Sequence, residues 1–401
     1  MALTLLKEIE KGSKNALLKK KIITHYIYNG SSTITELSKE LNLSIPTVTK
    51  FIGEMSEEGF INEYGKLETS GGRHPILYGL NPESGYFLGV DINHSSIDLG
   101  VINFKGDLIC HKTGIPYNLE NTPKSLDELC NVLNQQISSL EINHDKILNI
   151  CVNISGRVNP ETGYSFSIFN FSEQPLSEIL TSKIGCPVCI DNDTRALTYG
   201  EFMEGCVNGE KDIIFVNASW GLGIGIIIDG KIYTGKSGFA GEFGHIPAYD
   251  NEILCHCGKK GCLETEASGR AMHRVLLERI ANGETSILSK EISEGKQISL
   301  DDIIDAINKE DPLCIEILEE VGSKLGKHIA SVINVFNPEL VIIGGKLSLA
   351  EDYLTEPIKS AIRKYSLNLV NRDSAIASSK LKEKAGIIGA CMLARSRMFE
   401  H

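Results

Sequence analysis

Apolar positions first recur at helical spacing in TITELSKELNLSIPTVTKFIGEMSEEGF, where Ile34, Leu37 and Leu41 form one set and Val48, Phe51, Ile52 and Met55 a second. Thr33 followed three positions later by Glu36 has the form of a capping box, and it predicts a short helix ending near Asn42. Ser44 and Pro46 open the second helix and Gly59 stops it. Two short helices across a tight turn predict a helix-turn-helix, with an earlier apolar helix around Leu17 to Ile27 completing its core. FINEYG and LETSGGRHPILYGL then read as two strands around a glycine-rich tip, the wing of a winged helix spanning residues 1–80.

After NPESGY the period falls to two. YFLGVDINHSSIDLGVINFKGDLICHKTG reads as three strands, with FKGD a hairpin connection, and the rhythm returns in DIIFVNASWGLGIGIIIDGKIYTG, where IDGK takes that place. Two such meanders predict an internally duplicated α/β body over residues 86–401. CVNISGRVNP, CPVCIDNDTRALTYGE and ELVIIGGKLS are each an apolar strand ending in a polar or glycine turn, and ligands of α/β sheets bind at strand carboxyl ends. Ser155, Gly156, Asn192, Asp193, Glu242, His245 and Glu264 are therefore the candidate polar groups of a small-molecule site, with Asp193 the natural base for a docked hydroxyl. Taken singly, Asp193 reads equally as a helix cap and Glu242 as surface charge. Gly221, Gly223 and Gly225 in WGLGIG fit either a phosphate approach or close packing.

A chain of 401 residues exceeds what one core usually absorbs and predicts two or three domains. No apolar run approaches the roughly 18 residues of a membrane span, so no membrane insertion is expected. Lys7, Glu8, Glu10 and Lys11 are foreign to a secretory signal, and the protein is read as cytoplasmic, nucleoid-associated when on DNA. Its eleven cysteines are then thiols or metal ligands rather than disulfides. The net charge of −12 is uneven: residues 1–80 hold ten Lys and Arg against nine Asp and Glu, so the acid lies in the body. On the second helix Ser44, Thr47, Thr49 and Lys50 lie off the apolar face and are placed to meet a double-stranded DNA operator, with Arg73 on the wing tip. So little basic charge implies weak binding per subunit and a dimer on two half-sites. Use of the winged helix for protein contacts alone is the competing reading.

CHCGKKGC puts Cys255, Cys257 and Cys262 in a loop turned by Gly258 and Gly261. A structural zinc wants four ligands, and His245 at the end of GEFGH can fold back as the fourth, while His256 is expected to point away. An iron–sulfur cluster or a redox disulfide are the alternatives. Cys186 and Cys189 in CPVC read as buried filler.

AGEFGH followed by CHCGKKGCLE, with ISGRVNPETG, DNDTRALTYGE and LVIIGGKLS in the same order, resembles the ROK family of repressors, open reading frames and sugar kinases, and the winged helix stands where its repressors carry one. The resemblance implies an actin-like, ribonuclease H-like sugar kinase fold with a zinc loop over residues 245–264. It implies zinc on His245, Cys255, Cys257 and Cys262, a sugar held by Asn192, Asp193, Glu242, His245 and Glu264 with Ser155, Gly156 and Asn170 beside them, and a homodimer or tetramer. Where family kinases carry a phosphate loop resembling DxGGTK, this chain has DINHSS, Asp91 to Ser96; GGK, Gly344 to Lys346, replaces a run of three glycines. Arg195 stands where the family often has Asn, and FSEQPL lacks the usual Gly-Trp. Without the glycines and lysine a phosphate is neither approached nor neutralised. The expected function is a sugar-responsive transcriptional regulator, a repressor of carbohydrate uptake or catabolism genes released by a sugar or sugar-phosphate. An ATP-dependent sugar kinase is the alternative, and control by a regulatory protein partner is a third reading.

Overall fold

The computed structural model describes residues 11–66 and 74–399 together with Leu5 and Glu8. The chain forms two compact units, Met1–Asn192 with Ala390–His401, and Asp193–Gly389.

The first unit begins with helix α1 (Lys14–Asn29), strand β1 (Ser32–Thr33), α2 (Ile34–Glu40) and α3 (Ile45–Glu57). The Thr33–Glu36 capping box forms in full, and the Ser44 side chain caps α3 by accepting from Thr47 N. Val48, Phe51, Ile52 and Met55 are all buried, as their spacing requires. Strands β2 (Ile61–Lys66) and β3 (Ile76–Leu80) form the wing, in the sheet order β1-β3-β2. Arg73 lies outside the described residues. Lys19 is almost fully buried and is matched by Glu54 at 3.2 Å and Glu58 at 2.5 Å, which ties α1 to α3.

The same unit holds a sheet of β4 (Tyr86–Ile92), β5 (Ser96–Asn103), β6 (Leu108–Pro116), β7 (Ile147–Ile154) and β10 (Val188–Asn192), with α4 (Pro123–Ser138) and α5 (Leu176–Ile184) alongside. Between β7 and α5 a small ribbon forms from β8 (Val158–Asn159) and β9 (Tyr164–Ser165). The winged helix is fastened here by an aromatic cluster: Phe104 lies 5.9 Å from Phe60, 6.1 Å from Phe87 and 5.7 Å from Phe399 between ring centroids. Asn81 adds bonds to the carbonyls of Gly59 and Phe60, both at 2.8 Å.

The second unit opens with α6 (Asp193–Glu204) and continues with β11 (Ile213–Ala218), β12 (Leu222–Ile228) and β13 (Lys231–Ile232). Helices α7 (Gly269–Ala281), α8 (Ser289–Ser293), α9 (Leu300–Asn308) and α10 (Pro312–Phe336) follow, then β14 (Leu340–Gly344), α11 (Asp352–Tyr365), α12 (Asn368–Asp373), β15 (Ala375–Ser378) and the start of the last helix, α13 (Ala385–Phe399), whose residues from Ala390 on belong to the first unit. Its sheet runs β13-β12-β11-β14-β15 and the first unit's runs β6-β5-β4-β7-β10 when read from the hairpin edge. In both, the first three strands are antiparallel neighbours and the last two join in parallel. This repeated order is the duplicated α/β body expected from the two meanders, in the actin-like form that the family resemblance implied. Asp229 and Gly230, at φ 50 and 73, form the tight β12–β13 turn that IDGK predicts. Among the described residues no helix is long and apolar enough to cross a membrane.

The glycines of WGLGIG resolve toward packing at two positions. A Cβ on Gly223 would stand 3.1 Å from Thr194 Oγ1, and one on Gly225 would overlap Thr198 Oγ1, so their absence lets α6 lie directly on β12.

Candidate functional site

On α3 the hydroxyls of the DNA-facing candidates are engaged locally. Ser44 Oγ lies 2.7 Å from Thr47 Oγ1, and Thr49 donates to Ile45 O at 2.9 Å. These bonds hold the first turn of the helix in shape, while Ser44, Thr49 and Lys50 remain exposed. Lys50 is 63% exposed and 3.8 Å from Glu54, a pairing too open to restrain its ammonium. Ile45, which the sequence reading passed over, is 51% exposed on the same turn and presents an apolar side chain beside the polar ones.

In the second unit, GEFGH folds into a 3₁₀ turn over Phe243–His245 with Glu242 at its cap, and positions three apart line up on such a turn. His245 Nε2 consequently lies 3.8 Å from Glu242 Oε2. The opposite ring nitrogen, Nδ1, lies 3.6 Å from Cys255 Sγ. Cys257 Sγ and Cys262 Sγ are 3.6 Å apart, and one ligand atom from each of His245, Cys255, Cys257 and Cys262 fits within 4.8 Å of the others. The loop is knit by its own backbone: Cys255 N donates to Lys259 O at 2.8 Å and Ala248 N to Gly261 O at 2.9 Å. Gly261 has φ 70, and a Cβ there would overlap Tyr249 O, so the return of the loop requires glycine. Burial pushes the Cys255 thiol up and Cys262 to about 12, whereas at Cys257 burial is outweighed by hydrogen bonds, led by the Lys259 amide, that lower it; holding all three as thiolates would take a cation, and the sulfur and imidazole donors suit a tetrahedral metal.

A second 3₁₀ turn, Leu263–Thr265, starts beside Cys262 and buries Glu264. Glu264 Oε2 accepts from Leu222 N at 3.0 Å, and Oε1 stands 2.8 Å from His256 Nδ1. His256 stays out of the four-residue cluster but turns back toward Glu264, and its ring lies 5.0 Å from that of His245. Spacing alone suggested only a side chain aimed away; the pairing with a glutamate eight positions on depends on the fold of the loop. Asp193 is the first residue of α6, and its Oδ1 accepts from Thr194 N at 2.6 Å and lies 3.4 Å from Thr194 Oγ1.

The remaining candidates belong to the first unit. Asn192, at the end of β10, donates from Nδ2 to Gly156 O at 2.9 Å, joining those two positions. Gly156 has φ 91, and a Cβ would overlap Ser167 Oγ. Ser155 is exposed beside it. Asn170 is anchored by Asn121 at 2.8 Å and by Phe166 O at 3.2 Å. Cys189 pairs across the sheet with Cys151 and accepts from Asn149 Nδ2 at 3.5 Å, in keeping with a structural part.

The altered phosphate loops are occupied by their own bonds. Asn93, in DINHSS, donates from its backbone to Ser96 O at 2.9 Å and from its side chain to Asp98 at 3.1 Å. In GGK, the Lys346 ammonium pairs with both oxygens of Asp301, at 2.6 and 2.8 Å.

A winged helix followed by a duplicated, kinase-like body with a cysteine–histidine loop defines the class, and comparison with known proteins agrees. Residues 87–397 match the ROK family and residues 17–62 a winged helix-turn-helix DNA-binding family. The chain belongs to the ROK family. It is 32% identical to a xylose repressor of Caldicellulosiruptor bescii over 98% of this chain and 97% of that protein. A solved ROK family transcriptional regulator, a homologue of the Escherichia coli MLC protein, superposes with TM-score 0.80 at 27% identity, covering 96% of this chain and 97% of the other. A ROK family glucokinase from Streptomyces griseus in complex with glucose and AMPPNP gives 0.68 at 27% identity, covering 78% of this chain and all of that one (100%).

Proposed function

We propose that the protein is a sugar-responsive DNA-binding transcriptional regulator that represses carbohydrate genes until a sugar or sugar-phosphate releases it. The observation that carries this reading is a winged helix with a capped, outward-facing second helix ahead of the ROK body. In the kinase alternative, the first phosphate loop would need a backbone open to phosphate, whereas Asn93 closes it on itself. The similarity to a xylose repressor makes D-xylose the first sugar to test, and D-glucose the second.

DNA is met by Ser44, Thr47, Thr49 and Lys50 in the major groove and by Arg73 from the wing, with a dimer or tetramer supplying two heads for two half-sites. Zinc on His245, Cys255, Cys257 and Cys262 would cross-link the loop and offset the charge of its thiolates. That leaves His245 Nε2, Glu242 and Glu264 to exchange hydrogen bonds with sugar hydroxyls, and Asp193 to accept one as a binding group. Ser155, Gly156, Asn170 and Asn192 are the proposed sugar-binding residues of the first unit. A sugar that binds one arrangement of the body better than another shifts the population, and DNA that prefers the other is released by linkage.

The test is a fluorescence-anisotropy titration of the full-length protein on DNA selected from a random duplex library, repeated with D-xylose, D-glucose and their phosphates. A fall in DNA affinity with one sugar is expected. DNA binding indifferent to every sugar would move the reading to a protein partner, and sugar-phosphate formed with ATP and magnesium would replace it with the kinase.

A further inference from the structure

We propose that His256 is a positioning residue for Glu264, fixing the orientation in which that carboxylate meets the sugar; the sugar is taken from the function proposed above. Glu264 is 4% exposed, and a buried carboxylate needs partners on both oxygens. Leu222 N supplies one at 3.0 Å, from the start of β12. His256 Nδ1 stands 2.8 Å from Oε1, a close polar contact on the second oxygen. Contacts from two elements, β12 and the cysteine loop, hold the carboxylate in one orientation.

The placement of His256 makes this more than a surface pairing. It lies between Cys255 and Cys257, so folding of the cysteine loop sets where its ring stands. The same Nδ1 is 3.8 Å from Cys255 Sγ and nearer, at 2.8 Å, to the carboxylate oxygen. The far side of the ring reaches solvent, the side chain being 47% exposed. The loop thus carries two histidines with opposite duties: Nδ1 of His245 faces the thiols, and Nδ1 of His256 faces the carboxylate.

The experiment uses zinc-loaded full-length protein with ¹⁵N-labelled histidine. The His256 ring is expected as the Nδ1–H tautomer, with its nitrogen shifts moved by Glu264→Gln. In parallel, D-xylose and D-glucose binding is followed by calorimetry for His256→Phe and His256→Asn, with zinc content measured for each. His256→Phe should weaken the sugar that binds by on the order of 10-fold to 100-fold. His256→Asn, whose amide can sit where Nδ1–H was, should restore much of that loss, and both variants should keep the zinc of the wild type. An Nδ1 without a proton, zinc lost from His256→Phe, or sugar affinity unchanged in His256→Phe would each overturn the assignment. If the wild type binds neither sugar, the tautomer and its response to Glu264→Gln still decide the role of His256, and the failure falls on the choice of sugar.

Discussion

The two sheets share one strand order and differ in what is hung on it. In the first unit the chain passes from β6 to α4 through residues 117–122, whereas the equivalent passage in the second, from β13 to α7, runs through residues 233–268 and contains Glu242, His245, the three cysteines and Glu264. The turn between the first two strands diverges as well. Asn93 closes it on itself in one unit; in the other, Leu222 N, just past the turn, is given to Glu264. Topology therefore repeats because a twisted five-stranded sheet with flanking helices is a stable way to bury apolar faces, and chemistry enters at one long insertion.

The largest break in that comparison should come from Cys262→Ser. If Cys262 holds zinc as proposed above, its loss should cost on the order of 3–5 kcal/mol, and should strip zinc from the protein and melt the second unit before the first. Differential scanning calorimetry with zinc analysis checks both; two units still melting together would count against a metal that belongs to one of them. Next comes Gly225→Ala, where the new methyl overlaps Thr198 and should destabilise by about 1–3 kcal/mol in urea unfolding, without loss of zinc.

Asp311 sharpens the contrast at lower energy. It caps α10, accepting from Cys314 N at 2.9 Å and Ile287 N at 2.7 Å. Burial pushes its pKa up, but the amides of Ile287 and Cys314 outweigh that and hold the carboxyl below the usual aspartate range. A depressed folded pKa means that the stabilisation is present above the unfolded value and lost as pH falls through the folded one. Asp311→Ala should cost roughly 1–2 kcal/mol near neutral pH, and the gap from wild type should close below about pH 4. The smallest effect is expected from Lys50→Ala, which should weaken DNA binding and lower the salt slope by about 1 while leaving sugar affinity unchanged; the same salt slope in both proteins would remove Lys50 from the phosphate contacts.

Elements whose partners are close in sequence were legible. Thr33 and Glu36 sit three residues apart, and their capping box was readable because both ends belong to one turn. The Cys3His set was readable for a related reason: cysteines at such spacing have few uses inside a compact loop, and the structure brings His245 to them. That His256 stays out of this set was legible, but its pairing with Glu264 was not, because alternation along the chain says nothing about a 3₁₀ turn eight positions later that buries Glu264 beside it. Gly223 and Gly225 of WGLGIG were ambiguous for the same reason, since the threonines they make room for lie on α6, more than 20 residues away in the chain.

The sequence by itself determined the helix-turn-helix, the two meanders, the family and the residues of the cysteine–histidine cluster, because caps, periodicity and side-chain spacing are written in neighbouring positions. Only the tertiary structure decided that both sheets run in one order, that α6 rests on bare glycine, and that Glu264 is held between β12 and the cysteine loop. Those facts rest on contacts between segments far apart in the chain, where side-chain volume and hydrogen-bond geometry select one arrangement from many that the local pattern allows.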